Sequence, residues 1–281
     1  MRQAITTPVP SRDDYLRDLK DYVQLVSTGH NKSLFVIGEG GMGKTHVVLS
    51  TLREHNQPYN HFTTFSTPME LYSYLYIHRN ELVVLDDMEG ILENKKSVAI
   101  LKSCLWGFDD RCEVQYLSST ALLMVPPRFE FTGRTIFLLN QFPKNEFVRS
   151  LVTRSVYYEL KMPFAQKLVL MEDIAKMDYG DLTLPQRMEV FHFIRENANE
   201  ATKELNFRTL IKAFNMRSYS RDRWRQLVKV MLQPDEDLAT LRTIQETLGE
   251  LTVLQQARMF TLQTGLSRSS YFRYKRKLLT R

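Results

Sequence analysis

Hydrophobic residues along this chain follow two periods, and the switch from one to the other divides it. In the first part, continuous apolar runs such as Leu34-Phe35-Val36-Ile37, Leu82-Val83-Val84-Leu85 and Ile136-Phe137-Leu138-Leu139 stand between polar stretches. Short runs of this kind, bounded by turn residues, predict buried strands. Shorter strands are expected at 61–65, 113–117 and 155–160. Helical spacing fills the intervals. Tyr15, Leu16, Leu19, Tyr22, Val23 and Val26 follow a start signal at Ser11 and Asp14, and a second helix runs on from Thr45 through Leu52. A third opens at Pro68 and reaches about Ile77, and a fourth covers 95–106. The alternation predicts an α/β core with a parallel sheet.

Beyond Pro163 the strand pattern stops. Amphipathic helices are expected at about 164–177, 184–198, 203–216 and 220–232. Pro234-Asp235-Glu236-Asp237 reads as an acidic break and linker. After it, 253–264, Gly265 as a turn and 267–279 with Ser267 as cap read as helix, turn, helix. The expected regions are a nucleotide-binding core at 1–162, a helical lid at 163–233 and a helix-turn-helix at 234–281.

The chemistry enters where the first strong strand ends. Gly38-Glu39-Gly40-Gly41-Met42-Gly43-Lys44-Thr45 completes the P-loop pattern G-x-x-x-x-G-K-[ST] between a strand and a helix start. Gly38, Gly40, Gly41 and Gly43 are expected to take backbone conformations closed to larger residues, so that amide groups from Gly38 to Thr45, those of Glu39 and Met42 included, face phosphate. The positive end of the next helix adds to that field. In such a loop the lysine, here Lys44, reaches the β- and γ-phosphates of ATP, and the hydroxyl, here Thr45, ligates Mg²⁺. About forty residues on, a second apolar strand ends in Asp86-Asp87.

Composition narrows the setting. With 43% hydrophobic and 25% charged residues among 281, the chain can build a sizeable core and more than one unit. No apolar run approaches the ~18 residues that span a bilayer, and the first residues lack a signal region, so no membrane contact and a cytoplasmic, soluble protein are expected. Cys104 and Cys112 are too few for a zinc site or disulfide framework and are expected to be reduced and structural. The net charge of +6 has a location: six of the 38 Lys and Arg fall within 266–281 with no acid, and the other 32 match the 32 Asp and Glu. A basic end on a neutral body predicts a polyanion contact there.

In this order the motifs over residues 10–232 resemble those of AAA+ ATPases. The resemblance implies that Asp86 is a Walker B residue holding the Mg²⁺ shell and that Asp87 orients the attacking water. It makes Asn140, at the end of the 134–140 strand, the sensor 1 residue. Arg154, with Arg149 in reserve, becomes the arginine that projects into a neighbouring subunit's nucleotide, and Arg208 the sensor 2 residue. Asp87 departs from the Asp-Glu of many AAA+ motors and resembles replication initiators and helicase loaders; being one methylene shorter than Glu, it implies slow hydrolysis. The segment 264–275 looks like the recognition helix of a Fis-like or resolvase-like helix-turn-helix, which implies double-stranded DNA binding through Arg268, Ser269, Tyr271, Arg273, Lys275, Arg276 and Lys277. The implied function is an oligomerising, ATP-dependent DNA-binding ATPase of replication initiation, helicase loading or transposition, whose partner is a helicase, transposase or other replication protein. An ATP-gated transcriptional regulator and a branch-migration motor are the alternatives. Against enhancer-dependent activators, Phe131-Thr132-Gly133 is only a fragment of their polymerase-contacting loop.

Overall fold

Strand β1 (Ser33–Gly38) is buried along its whole length and has a parallel neighbour on each edge. The computed structural model describes residues 12–63, 67–105, 112–116, 125–141, 146–247 and 251–279. Ser11, Thr64, Phe65, Trp106 and Leu117, all expected within or at the ends of elements, lie outside these residues, as does the Lys277 side chain. The chain forms two compact units that join in sequence at Leu160 and Lys161.

The first unit opens with α1 (Arg12–Ser27), whose Leu16, Leu19, Val23 and Val26 recur at helical spacing and are buried. After β1 come α2 (Lys44–Glu54), β2 (Asn60–Phe62) and α3 (Pro68–Ile77), the last closed at its start by a Thr67–Glu70 capping box. Then β3 (Leu82–Asp86), the short α4 (Glu89–Leu92) and α5 (Lys95–Leu105) follow. Strands β4 (Glu113–Gln115) and β5 (Arg128–Glu130) pair antiparallel outside the main sheet, so the short strand expected near 113 is part of a separate ribbon. The unit ends with β6 (Arg134–Leu139), α6 (Glu146–Val152) and β7 (Val156–Leu160). The main sheet is parallel in the order β2-β3-β6-β1-β7. Its central strands carry the continuous apolar runs, while β7 at one edge alternates in exposure, as edge position requires. Cys104 and Cys112 are both buried, and burial pushes the Cys104 thiol pKa upward, which makes it an inert packing group.

Phe131, Thr132 and Gly133 lead into β6. Phe131 is buried, and the Thr132 and Gly133 amides donate to the Arg79 carbonyl at 2.9 and 2.7 Å. This segment is a structural seam and presents no free loop.

The second unit is helical: α7 (Phe164–Lys176), α8 (Leu184–Asn197), α9 (Phe207–Tyr219), α10 (Trp224–Met231), α11 (Glu236–Thr247), α12 (Val253–Thr264) and α13 (Arg268–Leu279). Helix α9 starts four residues later than its periodicity implied. Glu204 takes a left-handed φ of 55° that breaks the chain, and Asn206 then caps through the Thr209 amide at 3.2 Å. Helix α11 was not anticipated. The acids read as a linker are its beginning: the Leu238 amide donates to the Asp235 carboxylate at 3.4 Å, and Glu236 and Asp237 occupy its first turn. The Asp235 amide donates to the Ala201 carbonyl at 2.8 Å, and Arg242 pairs with Glu200 at 3.1 Å, so this junction is strapped to the turn between α8 and α9. Among the described residues one apolar core forms around Phe191, Phe214 and Trp224 and another around Leu241, Phe260 and Tyr271. Among the described residues no helix is long and apolar enough to cross a membrane.

A side chain at Gly133 has no room, since its Cβ would lie 2.4 Å from the Glu81 carbonyl and 2.9 Å from the Phe131 ring. Gly133→Ala is therefore expected to destabilise the first unit by about 1–3 kcal/mol. A urea titration should show a lower midpoint, and an unmoved midpoint would mean that the seam yields without penalty.

Candidate active site

The carboxyl ends of β1, β3 and β6 meet because β6 lies between the other two. In open parallel sheets this edge is where ligands bind. The loop after β1 turns at Gly41 and Gly43, with φ of 78° and 80°, values that favour glycine. Gly38 and Gly40 are not in that region, which corrects the expectation for them. Gly38 serves packing instead: a Cβ there would come within 2.8 Å of the Leu160 carbonyl on β7. Met42 is buried at the loop's centre, and Glu39 is exposed.

Lys44 begins α2 and is only 6% exposed. Its Nζ donates to the Gly38 carbonyl at 2.6 Å, the Glu39 carbonyl at 3.0 Å and Asn140 Oδ1 at 3.2 Å. A buried ammonium needs such acceptors. Asn140 then works in two directions, because its Nδ2 donates to Asp87 Oδ1 at 3.1 Å. Its backbone amide donates to Glu89 Oε1 at 2.7 Å, which fixes the turn after β6. The Thr45 hydroxyl donates to Asp86 Oδ2 at 2.8 Å, and His61 Nε2 lies 3.3 Å from the same oxygen. Asp87 is exposed at a left-handed φ of 53°, a conformation Asp tolerates better than most residues. Its amide donates to Asp86 Oδ1 at 3.0 Å.

The donor set fits ATP with Mg²⁺. A hydroxyl and a carboxylate oxygen stand together where a hard cation takes oxygen ligands, and a lysine lies beside a glycine loop at a helix start. Among the described residues no cluster of three or more His, Cys, Asp or Glu makes a protein-only metal site, so nucleotide oxygens and water would complete the shell of an ion held by Thr45 and Asp86. Mg²⁺ there would neutralise charge on the phosphates. Asp87, an exposed carboxylate oriented by Asn140, can accept a proton from a water or hold it for attack.

His61 is not among the expected site residues, and Glu89, close behind Asp86-Asp87, is expected only as the alternative to Asp87 in its role. Nothing in the sequence marks His61, since only the pairing of β2 with β3 brings it beside Asp86.

The other expected residues are placed as follows. Arg154 is exposed in the turn before β7, its Nη1 donating to the Ser150 carbonyl at 2.9 Å. Val156 pairs with Leu34 and Leu160 with Gly38, so Arg154 lies at the sheet end opposite the loop, roughly 20 Å away at 3.3 Å per residue. It cannot serve its own nucleotide. Arg149 is exposed on α6. Arg208 is exposed in the first turn of α9, lining a cleft of about 240 Å³ with Lys203 and Lys212.

On α13 the spacing separates two faces. Arg268, Ser269, Arg273 and Arg276 are exposed, and Lys275 is half-buried with its Nζ 5.7 Å from the Tyr271 ring. Tyr271 does not belong with them. It is fully buried, and its hydroxyl donates to Gln256 Oε1 at 2.9 Å, so it is a core residue joining α13 to α12. Ser267 caps α13 through the Ser270 amide, and Gly265 ends α12 at φ 71°.

This sheet order, with the glycine loop and the Asp86-Asp87 pair at its carboxyl edge and a helical second unit, is an α/β fold of the AAA+ type. Solved structures with this fold bear it out at low sequence identity. A Thermotoga maritima RuvB variant matches at a TM-score of 0.53 and 13% identity over 95% of this chain and 88% of that one. Thermotoga maritima RuvB, described as a Holliday junction branch migration motor, matches at 0.50 and 14% identity over 96% and 87%. NtrX from Brucella abortus in complex with ATP matches at 0.50 and 13% identity over 97% and 69%. No protein-family model and no curated protein sequence matches the chain.

Lys44→Ala should abolish most ATP affinity, since no other group supplies its charge in the loop; calorimetric titration with near-normal affinity would refute the site. Asp87→Asn retains a residue suited to the left-handed φ while removing the charge. It should bind ATP normally and lose at least about 100-fold in turnover, the scale of general-base contributions; unchanged turnover would place the base elsewhere, with Glu89 next to be tested.

Proposed function

We propose that this chain is a self-associating, ATP-dependent DNA-binding ATPase that acts in replication initiation, helicase loading or transposition of a mobile element. The reading rests on one conjunction: a nucleotide cluster built on Lys44, Thr45, Asp86, Asp87 and Asn140 shares a chain with a capped helix pair whose last helix turns Arg268, Arg273 and Arg276 outward. ATP and Mg²⁺ are the cofactors, and hydrolysis is slow because Asp87 is shorter than the Glu of faster motors. Double-stranded DNA is the polyanion that α13 meets, with Arg268 and Arg273 near base edges and Lys275, Arg276 and Lys277 on phosphates. A helicase, transposase or other replication protein is recruited to the DNA-bound assembly.

Self-association is supported by the position of Arg154, too far from its own loop to act there and exposed for use by a neighbour. Arginines supplied in trans contribute about 10³–10⁵ in rate in other NTPases. Arg154→Ala protein should thus be nearly inactive alone and regain turnover when mixed with Lys44→Ala protein, each offering the half-site the other lacks. Co-assembled mixtures that stay inactive would remove Arg154 from the mechanism. For the DNA interface, Arg276→Ser should weaken binding to all duplex sequences alike and make the slope of log K against log salt shallower by about 0.9 per protomer. An unchanged slope in fluorescence anisotropy would exclude that phosphate contact.

A further inference from the structure

The last helix is not the only basic region of the helical unit. Between Arg208 and Lys229 the sequence holds seven Lys and Arg against one acid, Asp222. Two of the seven are engaged: Arg217 and Arg225 both reach the Glu189 carboxylate, and their guanidinium groups lie 5.8 and 4.8 Å from the Trp224 ring centre. Trp224 is fully buried, so it anchors the turn joining α9 to α10. The Ser220 hydroxyl tightens that turn by accepting from the Arg223 amide at 3.2 Å. Arg208, Lys212, Arg221, Arg223 and Lys229 remain exposed, with no carboxylate in ion-pair range among the described residues. Beside them Tyr219, at the end of α9, is 85% exposed. Lys212 and Tyr219, seven residues apart, share the outward face of α9.

We propose that the α9–α10 turn binds single-stranded DNA, with the Tyr219 ring stacking on an unpaired base and Arg221 and Arg223 meeting the flanking phosphates. The charge selects a polyanion. The bare aromatic ring selects a single strand, because a duplex keeps its base faces stacked whereas every unpaired base offers one. Pinning by Trp224 and Ser220 lets the turn present these groups with little ordering on binding. These residues belong to other elements than α13, and the proposal does not depend on the duplex reading of that helix.

The test uses the full chain and a fluorescent oligo-dT, followed by anisotropy across a NaCl series, with a duplex as second ligand. Tyr219→Ala should weaken oligo-dT binding about tenfold, and Tyr219→Trp should preserve it. Arg221→Ser with Arg223→Ser should make the single-strand salt slope shallower by about 1.4, at roughly 0.7 per contact. Duplex affinity should move with neither. All three side chains are exposed, and thermal melts matching the unaltered protein would show that the fold is kept. The proposal falls if the unaltered protein does not bind oligo-dT, or if the variants keep its affinity and slope. It also falls if duplex and single-strand affinities drop together. A loss confined to self-association would overturn it too, and would assign the turn to an acidic protein surface.

Discussion

A lysine ammonium almost wholly removed from water governs the layout of the first unit. Lys44 must be surrounded by acceptors, and it finds them at the ends of two strands: the Gly38 and Glu39 carbonyls after β1 and the Asn140 side chain after β6. These groups come within reach only when β6 lies directly against β1. With β3 on the other side of β6, the same asparagine also holds Asp87. The buried lysine and the candidate base are thus coupled through one amide. A shift of β6 along either neighbour would disturb both.

Strain and restraint are concentrated beside that amide. Asp87 holds a left-handed backbone directly after a buried strand, and both its amide and its carboxylate are tied, to Asp86 and Asn140. Glu89 secures the backbone of Asn140 from the far side. Such over-determination is what keeps a disfavoured conformation in place, and it is found where a side chain must be aimed.

The helical unit shows how far periodicity reaches and where it stops. Spacing located α12, and α13 to within one residue, because Gly265 and Ser267 supply local stop and start signals that need no partner. It misread Pro234 to Asp237, because acids serve equally well in a solvated linker and in the first turn of a helix; contacts from Ala201 and Glu200 decide between them. It also put Tyr271 among the outward residues of α13. Composition marks a tyrosine between basic residues as an interface group, and only the Gln256 acceptor across the helix pair shows that it belongs to the core.

By itself the sequence determined the elements whose signals are local: the glycine loop and its lysine, the apolar strands ending in Asp86 and Asn140, and the capped helices. These follow from backbone sterics and side-chain period, which act over a few residues. Tertiary structure alone decided which strand ends are neighbours, and with that the pairing of His61 with Asp86, the double role of Asn140 and the distance that bars Arg154 from its own loop. It also assigned the glycines their separate tasks, Gly41 and Gly43 to the turn, Gly38 and Gly133 to close approach of distant chain. These facts depend on contacts between residues tens of positions apart, and strand order, which no local pattern encodes, is what brings them together.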